Sequence, residues 1–94
     1  MAQQNTEKTY LEVIRRVEVL RVYPKCKSSL YLDEKNGLFP RSFSIGQRSQ
    51  AYYKHEVIAV IAAMGAGRTQ TQIKALVCKL LEQRQELAKG AYHE

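Results

Sequence analysis

A short helical segment cut off by Pro24, a second one running from Lys27 to Gly37, and two alternating runs on either side of Gly46-Gln47 point to one fold class. It is a mainly α protein with a small β-wing, that is, a winged helix-turn-helix followed by a C-terminal helix. At 94 residues the chain has room for one small core and no second one. The expected divisions are a flexible leader over 1–9, the winged helix-turn-helix over 10–64, and a closing helix over 65–94.

Each element has a local reason. Met1 to Lys8 are polar and carry no capping pattern, so a frayed leader is expected. Between Tyr10 and Tyr23 the spacing of Tyr10, Ile14 and Val17 is helical, while the alternation through Val13 is β-like. A short strand ending near Arg16 and pairing with the wing, then a helix over Val17–Tyr23, accommodates both. Val17, Leu20 and Tyr23 would share the inward face of that helix, with Glu18 and Arg21 outward. Pro24 lacks an N–H and biases Tyr23 out of the helical region, so the turn falls at Pro24 to Cys26. The second helix starts at Lys27 or Ser28, where a serine can cap exposed N–H groups. It runs to about Asn36 and closes on a left-handed Gly37, with Leu30 as its core contact.

Beyond Pro40, Phe43 and Ile45 are expected on one face of a strand and Ser42 and Ser44 on the other. Gly46-Gln47 then turns the chain into Arg48–Tyr53. A third helix over about Lys54 to Met64 would bury Val57, Ile58, Ile61 and Met64, and Gly65-Ala66-Gly67 ends it. The last helix, about Thr69 to Ala88 and ending before Gly90, carries Ile73, Leu76, Val77, Leu80 and Leu81 at the spacing of one apolar stripe. That stripe fits either packing on the domain itself or a dimer seam.

The net charge of +6 is unevenly spread. Arg15 to Lys54 holds nine basic residues against three acidic ones, and the rest of the chain holds six of each. All the excess positive charge thus falls on the helix-turn-helix and wing, as a surface that meets a polyanion requires. A merely solvated basic face is the other reading.

The run Ser28-Ser29-Leu30-Tyr31, then Gly37-Leu38-Phe39-Pro40-Arg41, then Ile45-Gly46-Gln47-Arg48-Ser49, then Glu56-Val57 resembles the AlpA-type phage regulators. These are small winged helix-turn-helix proteins related to the MerR and excisionase DNA-binding domains. The resemblance covers about Arg16 to Met64 without gaps. Lys27 stands where the family usually has Arg, which turns a bidentate guanine contact into a single-point one. Leu32 stands in place of an Arg, Asp33 and Glu34 in place of apolar residues, and Tyr52 in place of a Trp. The resemblance implies double-stranded DNA as partner, at regulatory or attachment sites of an integrated element. The role would be transcriptional regulation of an integrase gene or control of recombination direction. It further suggests the cognate integrase and other copies of the chain as partners.

On that reading Lys27, Ser28, Ser29, Tyr31 and Lys35 are the recognition-helix candidates. Hydroxyls and N–H groups near a helix start approach phosphate, and Tyr31 can reach a phosphate or a thymine methyl. Ser28 and Ser29 as simple caps and Tyr31 as core are the structural alternatives. Gln47, Arg48 and Ser49 at the wing tip, with Arg41 on the approach to it, are the wing candidates, since an Arg there can enter a narrow minor groove or clamp a phosphate. Arg15 and Arg16 are candidates for backbone contact.

Other chemistries lack residues. His55 beside Glu56, with no nucleophile near in sequence, reads as a surface pair or cap rather than an acid–base couple, so no catalytic residue is assigned. Cys26 and Cys78 form no metal-binding pattern, and neither metal nor cofactor is expected. With no signal peptide and no apolar run of membrane length, the expected location is the cytoplasm, in association with the nucleoid and with thiols reduced.

Overall fold

A computed structural model describes residues 11–92, so the expected leader lies outside the described residues. The elements, numbered here in chain order, are β1 (Val13–Arg15), α1 (Arg16–Val22), α2 (Lys27–Lys35), β2 (Phe43–Gly46), β3 (Ser49–Tyr53), α3 (Lys54–Gly65) and α4 (Gln70–Tyr92). This is a mainly helical protein with a small three-stranded antiparallel sheet and a C-terminal helix. The sheet order is β1-β3-β2, with Ile14 opposite Tyr52 and Phe43 opposite Ala51.

The helix ends are set by local chemistry. Glu18 accepts the Arg15 N–H at 3.0 Å at the start of α1. After α2, Gly37 takes φ 77°, and the N–H groups of Gly37 and Leu38 return to the carbonyls of Glu34 and Asp33. After α3 the same two bonds form from Gly67, at φ 80°, and Arg68 to Met64 and Ala63. Both are Schellman closures, which need a left-handed residue at that point. Thr69 and Gln72 then cap α4 reciprocally, each side chain taking the other's N–H.

One core joins every helix to the sheet: Val19 and Tyr23 of α1, Leu30 of α2, Phe39, Tyr52 of β3, Val57 and Val60 of α3, and Ile73, Val77 and Leu80 of α4. Tyr23 stacks on Phe39 at 4.6 Å, and Phe39 meets Tyr52 edge-on at 6.0 Å.

Several expectations about packing and element ends need correcting. In α1 the buried residue is Val19, one turn before Tyr23, while Val17 is 61% exposed. The anchoring of Tyr23 on Phe39 sets which turn faces inward. In α3 Val60 joins Val57 inside, whereas Ile58 and Met64 are exposed; the helix is covered by β3 and α4 on the face carrying Glu56, Val57 and Val60. In β2 a bulge between Ser44 and Gly46 breaks the alternation. Ile45 therefore turns to solvent while Phe43 packs on Tyr53 at 4.7 Å. Helix α4 continues through Gly90, which an exposed helix end tolerates at a cost of about 1 kcal/mol. Glu56 is not a surface residue, being 1% exposed.

Candidate nucleic-acid interface

The outer surface of α2 follows from what its inner surface binds. Leu30 is fully buried. Asp33 accepts the Tyr23 hydroxyl at 2.6 Å and pairs with Lys25 at 2.8 Å, and Glu34 accepts the Tyr52 hydroxyl and the Ser42 N–H. Both carboxylates of the helix are thus turned onto the protein, where they hold the turn before α2 and the strand after it. Lys27, Ser28, Tyr31 and Lys35 are left exposed, and among the described residues no carboxylate pairs with either lysine. The outward charge of the helix is positive because its negative charge is used internally.

The same network shifts the tyrosines. Burial, reinforced by the bond to Glu34, pushes the Tyr52 phenol up to about 12. Burial, then the bond to Asp33, also raises Tyr23, and the bond to Asp33 raises Lys25. All three stay protonated at neutral pH.

Serines do not cap α2 as expected. Cys26 occupies the N-cap position, with Ser28 and Ser29 hydroxyls 3.4 and 3.3 Å from its sulfur. Hydrogen bonding from Ser28 first, then from Ser29, lowers the Cys26 thiol to about 7. Ser29 is half-buried and Ser28 exposed, so of the two only Ser28 faces outward fully. Iodoacetamide is expected to alkylate Cys26 ahead of Cys78 in the folded protein, with a rate that climbs as pH rises through about 7. Peptide mapping of a time course checks it; equal labelling of the two thiols would show that the serine hydroxyls do not activate Cys26.

Two shallow depressions lie side by side on this face. One is lined by Arg16, Cys26, Lys27, Ser28 and Tyr31, the other by Arg15, Arg16, Val17, Arg48 and Gln50. Arg16 belongs to both and therefore joins the start of α2 to the wing. Its position is held by the sheet, since Arg16 Nε donates to the Tyr52 hydroxyl at 3.2 Å and its guanidinium lies 5.9 Å from the Tyr52 ring centre. Arg48 takes φ 73° in the turn between β2 and β3, a left-handed conformation that costs a non-glycine residue about 1–2 kcal/mol. Such strain at an exposed tip directs attention to what the side chain reaches.

The structure thus brings Lys27, Ser28 and Tyr31 together with Arg48 around Arg16. Tyr31 is 59% exposed, which removes the core alternative for it. Gln47 is exposed beside Arg48, and Ser49 starts β3 opposite Gly46. Lys35 and Arg41 are exposed but line neither depression. The central place of Arg16 was readable only as one of two adjacent arginines; its tie to Tyr52 spans 36 residues.

Behind the wing lies a second arrangement that local sequence does not disclose. Arg84 of α4 grips both oxygens of buried Glu56, Nε to Oε2 at 2.9 Å and Nη2 to Oε1 at 2.6 Å. Arg84 also donates to the Arg41 carbonyl at 2.9 Å, and its guanidinium lies 5.2 Å from the Phe43 ring centre and 5.6 Å from that of Tyr53. The root of the wing is thereby fastened to the last helix.

The span that carries α2, the wing and the arginine between them is also the span that family comparison matches: residues 12–62 fit the family of the Prophage CP4-57 regulatory protein (AlpA). The chain belongs to the AlpA family. It is a phage-type regulatory protein, and the matched span runs from the start of β1 through most of α3. No curated protein and no solved structure matches the chain. Helix α4, with Arg84, lies outside the matched span. Among the described residues no helix is long and apolar enough to cross a membrane.

Proposed function

We propose that this AlpA-family chain binds double-stranded DNA with α2 in the major groove and the β2–β3 wing against the adjacent backbone or minor groove. On attachment-site DNA of a mobile element it would act as an excisionase-like directionality factor, as a transcriptional regulator of the integrase gene, or as both. The observation that carries the reading is the continuity of the two depressions through Arg16, which joins Lys27, Ser28 and Tyr31 to Arg48 on one cationic surface. Phosphate contacts from such a surface supply affinity and register, while base-edge contacts from α2 supply specificity. The cognate integrase and further copies of the chain on neighbouring sites are the partners this role calls for. An alternative function for the chain, as a protein–protein interaction module that docks a partner through the amphipathic last helix, is disfavoured, because Ile73, Val77 and Leu80 are buried in the chain's own core.

Titration of attachment-region duplex at several salt concentrations, with circular-permutation assays of bending and a reconstituted excision reaction, tests the proposal. Affinity is expected to fall steeply with salt. Lys27→Ala should cost about 1–3 kcal/mol on the cognate site with folding unchanged, and Arg48→Ala should reduce affinity, bend and excision together. Saturating DNA should also shield Cys26 from alkylation. Binding without bending and with no effect on excision would leave transcriptional regulation as the role. Binding that ignores salt would refute DNA as the partner.

A further inference from the structure

Helix α2 carries a large apolar side chain that no core contact explains. Successive residues of an α-helix are turned by about 100°, so with Leu30 directed into the core the opposite ridge carries Ser28, Leu32 and Lys35. Leu32 is 54% exposed, and the neighbouring Tyr31 is exposed to a similar degree. The two carboxylates that follow, Asp33 and Glu34, are bound to Tyr23, Lys25, Tyr52 and Ser42 and do not share that ridge. The outermost line of the helix thus reads hydroxyl, isobutyl, ammonium, with Ser28 and Leu32 one turn, about 6 Å, apart along the axis.

A hydroxyl and an ammonium suit phosphates and base acceptors, but an isobutyl group gains from neither. The one apolar group that a base edge offers in the major groove is the thymine 5-methyl. We propose that Leu32 is a specificity-determining residue that reads a thymine methyl at one position of the site, flanked by polar contacts from Ser28 and Lys35. The inference rests on the DNA-binding reading above and adds to it a base and a residue. Its chemistry is simple: the methyl and isobutyl groups leave water together, and a base without the methyl leaves Leu32 facing water or a polar edge.

The test is a competition assay with the full chain on its selected duplex, each thymine in turn replaced by deoxyuridine, which removes only the methyl. Wild-type protein is expected to lose about fourfold in affinity at one thymine, the worth of burying one methyl group. Leu32→Ala, at an exposed position, should fold normally, bind the thymine site more weakly, and bind the thymine and uracil forms at that position equally. Lys27→Ala should weaken both forms alike and keep the difference between them. Selective DNA binding with no thymine sensitive to demethylation, or a sensitivity unchanged in Leu32→Ala, would overturn the assignment while the DNA-binding reading stands. A wild-type chain with no preferred duplex would sink both.

Discussion

Ending the chain at Arg68 is expected to abolish cooperative folding. The cut removes Ile73, Val77 and Leu80, which are 3%, 2% and 6% exposed. Burying side chains of this kind is worth about 1.5–3 kcal/mol each, so the three together amount to roughly 5–9 kcal/mol. A small domain has about 5–15 kcal/mol of stability in total. The loss also uncovers the α3 face around Val57 and Val60 and strips Glu56 of its partner. Far-ultraviolet circular dichroism through a urea titration should show no sigmoidal transition for the shortened chain and one for the full chain. A shortened chain that still unfolds cooperatively but sediments as a smaller species would instead assign the stripe to a seam between protomers.

That expectation marks where sequence stops being informative about this fold. Pro24, Gly37 and Gly67 announce the ends of α1, α2 and α3 because backbone geometry at a helix end is a local matter. The wing was legible for the same reason, since Gly46-Gln47 sits between two short alternating runs. What escaped is decided at a distance. Val17 and Val19 have equal claims to the inward face of α1 until Tyr23 is known to stack on Phe39. The bulge at Ile45 depends on the register with β3, which alternation alone cannot supply. The roles of Asp33 and Glu34 were the least legible part of the candidate site. On a helix proposed to face a polyanion two carboxylates look misplaced, and it is their partners at a distance, above all the hydroxyls of Tyr23 and Tyr52, 10 and 18 residues away, that account for them. The excess of positive charge between Arg15 and Lys54, by contrast, was legible because it is a count along the chain, whereas the pairing of one of its members, Lys25, with Asp33 was not.

The least local feature of all carries the second large effect. Arg84→Ala is expected to destabilise the protein by about 3–5 kcal/mol, the usual cost of leaving one member of a buried ion pair alone. Glu56 is 1% exposed, and Arg84 accounts for a bond at each of its oxygens. With Arg84 gone the carboxylate loses both of these charged donors at a site that is otherwise buried. For a domain of this size each kcal/mol is worth about 4–8 °C, so the melting temperature should fall by more than about 10 °C. Arg84→Lys should recover little, since one ammonium cannot reproduce the fork to Glu56 together with the bond to the Arg41 carbonyl. Replacing both partners, Glu56→Leu with Arg84→Met, should restore most of the stability, because the penalty lies in the orphaned charge rather than in the loss of the pair. Urea unfolding of the four proteins measures this directly. A single-variant loss below about 1 kcal/mol, the range of exposed pairs, would show that Glu56 reaches water in solution and that α4 is held by its apolar stripe alone. The double variant separates stability from wing geometry. It should fold, yet it lacks the guanidinium over Phe43 and Tyr53 and the donor to Arg41, so Phe43 ring resonances should shift even where the melting temperature does not.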